Sequence, residues 1–195
     1  MKIGIDLDGV VFNTEAIWAV DGEIYDYLEL KKNSLIKRDE PRVQEKYAWS
    51  EEETKEYFKK YVEIKDFDLV PGAKKVIQLL HKDGHELIVI TARGSLSDVA
   101  HGREFALNKL TSEDIIFDKY YFGEKNKLET CLKEKIDIMI DDNYHICETL
   151  AENNIKVLYF HSLGRKHLLD KPNIKEVYNW GEIYRYISEY TKNNM

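Results

Sequence analysis

The sequence predicts an α/β fold: a Rossmann-like open parallel sheet with a small helical cap inserted after the first strand. Three observations carry this. Short apolar runs alternate with segments of helical periodicity over most of the 195 residues, as in a parallel sheet covered on both faces. One stretch, from about Thr14 to Phe67, holds no convincing strand and interrupts the alternation. The first apolar run, Ile3-Gly4-Ile5, leads directly into Asp6-Leu7-Asp8-Gly9. That puts two carboxylates at a strand end, where open α/β sheets bind ligands.

Strands are expected at Lys2–Leu7, Glu86–Ile90, Lys119–Phe122, Ile136–Ile140 and Lys156–Phe160. In the strandless stretch, Ile17, Val20, Ile24 and Leu28 give one helical face, and Tyr57, Phe58, Tyr61 and Val62 another. Ser50 and Glu53 form a Ser-x-x-Glu capping box for the second of these helices. Lys31–Pro41 is polar and reads as a loop. The insert follows immediately after the aspartate pair, so it is positioned to cover it. The expected division is a core of residues 1–13 and 68–195 and a cap of residues 14–67.

Beyond the insert, Pro71-Gly72 opens a helix, with proline in its first turn. Its inward face is Ala73, Val76, Ile77 and Leu80, and Gly84 suits its C-terminal cap. A further helix is expected over Leu96–Leu110. Leu128, Cys131 and Leu132 mark the next face, then Ile146, Cys147, Leu150 and Ala151, and finally Ile183, Tyr186, Ile187 and Tyr190. This order argues for crossover helices between parallel strands.

Composition narrows the function. The chain is 43% hydrophobic and 33% charged, with a net charge of −7. An acidic chain without clustered Lys/Arg is a poor polyanion binder, so no nucleic-acid polymer is expected as a partner. A small phosphate remains possible if a metal or a placed lysine supplies local positive charge. Cys131 and Cys147 match no metal spacing and read as core residues of a reducing compartment. No apolar run reaches membrane-spanning length, and acidic residues interrupt the first apolar segment, which argues against a secretion signal. These features lead to the expectation of a cytoplasmic enzyme.

Listing the polar residues after each strand assembles a candidate site. Asp6 and Asp8 follow the first, Thr91-Ala92-Arg93 the second, Lys125 and Lys127 the third, and Asp141-Asp142 the fourth. Like charges this close raise one another's pKa unless a cation intervenes, so two acidic pairs point to a divalent metal. Lys127 directly precedes an apolar helical face and is preferred to Lys125. Asp141-Asp142 before Asn143 also suits a helix N-cap.

These motifs resemble, in order, those of the haloacid dehalogenase superfamily: Asp6-Leu7-Asp8-Gly9-Val10, Thr91-Ala92-Arg93, the Lys127 region, and Ile140-Asp141-Asp142. The resemblance spans about Met1 to Phe160. Lys127-Leu128-Glu129-Thr130-Cys131, with Ile136-Asp137 and Ile140-Asp141-Asp142, is similar more narrowly to the type C 5′(3′)-deoxyribonucleotidases and their bacterial relatives. The resemblance implies a phosphomonoester hydrolase with Mg2+. Asp6 would be the nucleophile and Asp8 the acid/base, and Asp8 favours phosphate chemistry over carbon–halogen cleavage. Thr91, Lys127 and Ala92 would bind phosphate, with backbone N–H groups after Asp6 adding donors. Asp6, Asp8, Asp141 and Asp142 would form the metal site, with Asp142 preferred as the direct ligand and Asp141 orienting Lys127 or a water.

Phe12, Trp18, Tyr47 and Trp49 are candidates for base stacking or for packing the cap. Arg93 is a candidate for a second anionic group of the substrate or for a surface carboxylate. A sugar-phosphate phosphatase is the nearest alternative. A phospho-receiver domain is a second, but it carries its acidic pair first and its acceptor aspartate later, and it lacks a helical insert after the first strand.

Overall fold

Ile3, Gly4 and Ile5 are fully buried in β1 (Lys2–Ile5), an inner strand of a six-stranded parallel sheet. The computed structural model describes residues 1–38, 40, 43–62, 67–94, 100–161 and 171–193. The other strands are β2 (Glu86–Thr91), β3 (Lys119–Phe122), β4 (Ile138–Asp141), β5 (Lys156–Phe160) and β6 (Ile174–Val177). Their order is β3-β2-β1-β4-β5-β6, so the chain reverses its direction of travel across the sheet next to β1. That crevice is where such sheets bind ligands. Ile5 lies opposite both Val89 of β2 and Ile140 of β4, so the next residues of all three strands reach one edge together.

Alternation along each strand feeds two cores. Ile3, Ile5, Leu87, Val89, Ile138, Ile140 and Leu158 face α4 (Ala73–Lys82) and α8 (Trp180–Asn193). Ile88, Ile90, Met139, Val157 and Tyr159 face α6 (Lys127–Glu134) and α7 (Tyr144–Glu152). Cys131 and Cys147 are buried in this second core and are not joined in a disulfide. Among the described residues, no helix is long and apolar enough to cross a membrane.

The structure corrects several element expectations. β6 was not expected: Ile174-Lys175-Glu176-Val177 is half polar because it pairs on one side only, with β5. β4 starts at Ile138, because Ile136 closes the preceding turn onto Cys131. Pro71 lies ahead of the N-cap, Gly72, instead of inside the helical turn. Leu132 faces solvent, so the inward side of α6 is Lys127, Thr130, Cys131 and Glu134. The helix expected at Leu96–Leu110 appears as α5 (Ala100–Ser112), with residues 96–99 outside those described. Pro41, the end of the expected polar loop, also lies outside them.

The insert holds α1 (Thr14–Ile24), extended by a π-helical turn at Tyr25–Glu29, then α2 (Val43–Lys46) and α3 (Glu51–Tyr57), extended by a second π-helical turn at Phe58–Val62. The Ser50–Glu53 capping box forms in both directions. Tyr25, Val43, Tyr47 and Tyr57 make a cluster of their own, packed by Trp49 and Tyr61. Of the helical face expected to be buried, Ile17 packs against the core, but Val20 and Ile24 of α1 and Leu28 of the π-helical turn are turned outward, 59%, 42% and 63% exposed. The contact is made instead at Gly22, where an added Cβ would stand 2.9 Å from Val43 and 3.2 Å from Tyr47. A small residue sets this interface, which apolar periodicity does not register.

Candidate active site

The site begins where β1 ends. Asp6 still donates its backbone N–H to Ile140 (3.0 Å), which fixes its position beside β4. The chain then folds into a tight turn, with the Val11 and Phe12 N–H groups both donating to the Leu7 carbonyl (2.9 and 2.8 Å). Gly9 sits at φ +74°, and an added Cβ would meet Asp142 Oδ2 at 1.9 Å. Only glycine lets the second acidic pair lie against this turn.

Lys127 is the first residue of α6, after the N-cap Asn126, whose side chain accepts from Leu128 N–H (3.3 Å). The lysine is buried, with Nζ 2.8 Å from Asp6 Oδ1 and 2.6 Å from Asp141 Oδ2. The other oxygen of Asp141 accepts the Asn143 N–H at 2.8 Å. Asn143, not an aspartate, caps α7, accepting from His145 and Ile146 N–H; the expected capping role of Asp141-Asp142 is corrected accordingly. Lys125 is exposed and makes no ion pair with this group among the described residues.

Burial raises the Asp6 carboxyl, pushing it up to about 6; Asp141 and Asp8 add to this and Lys127 opposes it. Burial would lower the Lys127 ammonium, but Asp141 and Asp6 outweigh it and hold the group above the ordinary lysine range. Lys127 therefore stays charged. Asp6, Asp141 and Asp142 each bring an oxygen within 4.8 Å of the others. Asp6 and Asp141 against the single Lys127 ammonium leave a surplus negative charge in a buried site, which a bound cation would offset. Magnesium takes oxygen ligands at about 2.1 Å, so oxygens across its octahedron stand about 4.2 Å apart. A small contraction of this all-oxygen set would accommodate it, so the residues fit the ion.

Thr91 ends β2, is buried, and accepts the Arg93 N–H on its hydroxyl (3.2 Å). Ala92, between them, is half-buried at the same edge. Arg93 turns to Asp8: Nε donates to Oδ2 at 3.0 Å and Nη2 donates to Oδ1. Burial works against the guanidinium charge, but Asp8 more than restores it. The Asp8 side chain is thus engaged with Arg93 and stands outside the three-carboxylate group. The partner of Arg93 in this structure is this partly buried carboxylate of the acidic motif, not one on the open surface.

The aromatic candidates divide. Phe12 is fully buried against Phe67 (ring centroids 4.6 Å apart) and is a core residue unable to stack on a ligand in this structure. Tyr47 and Trp49 lie parallel at 4.5 Å inside the insert's cluster. Trp18 is half-buried and lines a small cavity with Ile17, Val62, Phe67, Arg93 and Phe105. Sequence reasoning missed the Gly9 contact and the Arg93–Asp8 pair. The glycine after the acidic motif was a signal for the first; the second depends on β2 lying beside β1.

No family model matches the chain. Among curated proteins, “Putative nucleotidase OB0422” of Oceanobacillus iheyensis is 25% identical over 166 residues, covering 81% of this chain and 85% of its own. A haloacid dehalogenase-like family hydrolase from Streptococcus pneumoniae superimposes with a TM-score of 0.66 at 17% identity, covering 95% of this chain and 97% of its own. A “predicted phosphatase” from Clostridium acetobutylicum gives 0.64 at 17%, with 96% and 98% covered. The fold is that of the haloacid dehalogenase-like hydrolases.

Proposed function

Given a haloacid dehalogenase-like fold, we propose that this protein is a magnesium-dependent phosphomonoester hydrolase working through an aspartyl-phosphate. We further propose that its substrates are (deoxy)nucleoside monophosphates. The observation that carries the reaction is the buried Asp6–Lys127–Asp141 chain beside Asp142 and Thr91, at the carboxyl ends of three adjacent strands. The name of the Oceanobacillus relative supports the nucleotide class.

Asp6 attacks phosphorus, the bond to the leaving oxygen breaks, and Asp8 delivers a proton to that oxygen. Asp8 then takes a proton from water, which attacks phosphorus and breaks the bond to Asp6, releasing phosphate and regenerating the carboxylate. Lys127, Thr91, Ala92 and the backbone N–H groups after Asp6 hold the phosphoryl oxygens. Asp6, Asp142 and the Asp8 main-chain carbonyl would hold the magnesium ion, whose charge would offset the surplus carboxylates. Asp141 keeps Lys127 in place.

In this reading residues 14–62 belong to a cap that selects the substrate, with Trp18 at its border. Buried and not joined in a disulfide, Cys131 and Cys147 suit a reducing cytoplasmic setting. The test is a magnesium-dependent phosphate-release screen over deoxy- and ribonucleotides, sugar phosphates and generic phosphomonoesters. Preference for nucleoside monophosphates is expected. Preference for sugar phosphates would remove the nucleotide class alone, and uniform inactivity would remove the hydrolase.

A further inference from the structure

Resting on the phosphatase reading, we propose that Arg93 is a positioning residue for Asp8. It stores the acid/base carboxylate in a two-point ion pair and yields it when a substrate's phosphoryl group takes the carboxylate's place on the guanidinium. Both Asp8 oxygens are taken by Arg93, through Nε at 3.0 Å and through Nη2. A fork–fork pair fixes the carboxylate in one orientation. Held so, Asp8 cannot bring a proton to a leaving oxygen, so the pair opens during the reaction.

The guanidinium is built into its place. Its side chain is 11% exposed. It lies 5.1 Å from the Phe67 ring and 5.8 Å from the Phe12 ring, and its backbone N–H is tied to Thr91 Oγ1. Thr91 is also a proposed phosphate holder, so an anion arriving there meets Arg93 as the next cation. The exchange then trades one anion for another while the cation stays put, and the freed carboxylate is left beside the reacting atoms. Lysine, a point charge without the fork, could not hold both oxygens.

The test uses two substrates of wild type, Arg93→Met, Arg93→Lys and Asp8→Asn. One is p-nitrophenyl phosphate, whose leaving group departs without a proton. The other is the alkyl monoester that wild type hydrolyses best. We compare kcat/KM, which covers steps up to phosphoenzyme formation; the ratio between substrates within one preparation cancels any loss of folded protein. Arg93→Met should cost the alkyl ester about 100-fold, within the range general acids contribute, and the aryl ester far less, with Arg93→Lys between. Asp8→Asn should show the same selectivity, and the double variant should be no worse than Asp8→Asn alone.

In a crystal of wild type grown with magnesium and inorganic phosphate, the Arg93–Asp8 pair should be open. Equal losses on both esters, additive losses, or a pair still closed around bound phosphate would each overturn the positioning role and leave the hydrolase standing. Wild type inert on both esters would overturn the hydrolase reading, and the positioning role with it.

Discussion

Two charge clusters stand at opposite edges of the same sheet, and they are built differently. At the amino edge, Lys119 reaches Glu134 (2.7 Å) and Glu86 (3.2 Å), and Lys2 reaches the same two carboxylates (3.9 and 3.7 Å). Two lysines face two glutamates, and every side chain but Glu134 is at least a third exposed. At the carboxyl edge, among the described residues, one lysine, Lys127, pairs with both Asp6 and Asp141, with Asp142 beside them, all buried. A balanced, wet cluster costs little to assemble and returns little. An unbalanced, dry one costs several kcal/mol per ion and persists where something further completes it. The imbalance, more than the number of charges, marks the edge where chemistry is expected.

The sharpest way to break this comparison is to remove one acid from each edge. Asp6→Asn should lower phosphate release by about three orders of magnitude or more, as loss of a nucleophile does, whereas Glu86→Gln should leave it within about twofold, since an exposed ion pair contributes little. Comparable losses in a steady-state phosphate assay would erase the distinction between the edges.

Removing the lysine from each edge tests stability. Lys127→Met leaves buried carboxylates without their cation and should cost about 3–5 kcal/mol in urea unfolding, as for broken buried pairs. Lys119→Met should shift the midpoint little, and by less still in high salt, since its partners share the charge with Lys2 and with water. A midpoint for Lys127→Met matching that of Lys119→Met would contradict the dry, unbalanced site.

Magnesium offers a subtler contrast. The ion should raise the unfolding midpoint of wild type, by about 3 kcal/mol of stability when it exceeds its dissociation constant 100-fold. Asp142→Asn should lose most of that gain, and Lys119→Met should keep all of it. A thermal shift with and without chelator measures this; an equal gain in wild type and Asp142→Asn would move the ion elsewhere.

The two edges also differ in how readable they were. The carboxyl edge was legible because buried strands read as continuous apolar runs, so the first polar residue after each run marks the edge. Asp6, Thr91 and Asp141 were located that way, and Lys127 by the apolar helical face it directly precedes. What periodicity could not supply was neighbourhood. Arg93 reaches Asp8 because β2 pairs with β1, and strand order is not written in either segment. In α6 the apolar pattern pointed to Leu128, Cys131 and Leu132, yet the helix turns Lys127, Thr130 and Glu134 inward and leaves Leu132 out. Ion pairs of Lys127 and Glu134 anchor the two ends of α6 to the two sheet edges, and they override the apolar stripe. On α1 the stripe lost to a glycine contact. β6, half polar at the sheet edge, resembled a loop.

The smallest expected effect concerns pH, and its sign follows from Asp6. Its carboxyl rises from an ordinary value of 3.8 to about 6, first because it is buried, against the pull of Lys127. A folded-state pKa above the unfolded one means that the folded protein binds this proton more tightly. The stability it contributes is full below about pH 4 and is lost as pH rises through about 6. Asparagine has no such proton to lose. In chelator, therefore, Asp6→Asn should gain on wild type as pH rises from 4 to 6, and the gain should level off above that. A shift of about two units bounds it at about 3 kcal/mol, and the forfeited contact with Lys127 reduces it further. Urea midpoints of both proteins at pH 4, 5, 6 and 7 give the difference directly. Glu86→Gln at the balanced edge should show no such rise. A difference that stays flat across the range would mean that the charge on Asp6 is already compensated without a metal, and that the carboxyl edge is as settled as the amino edge.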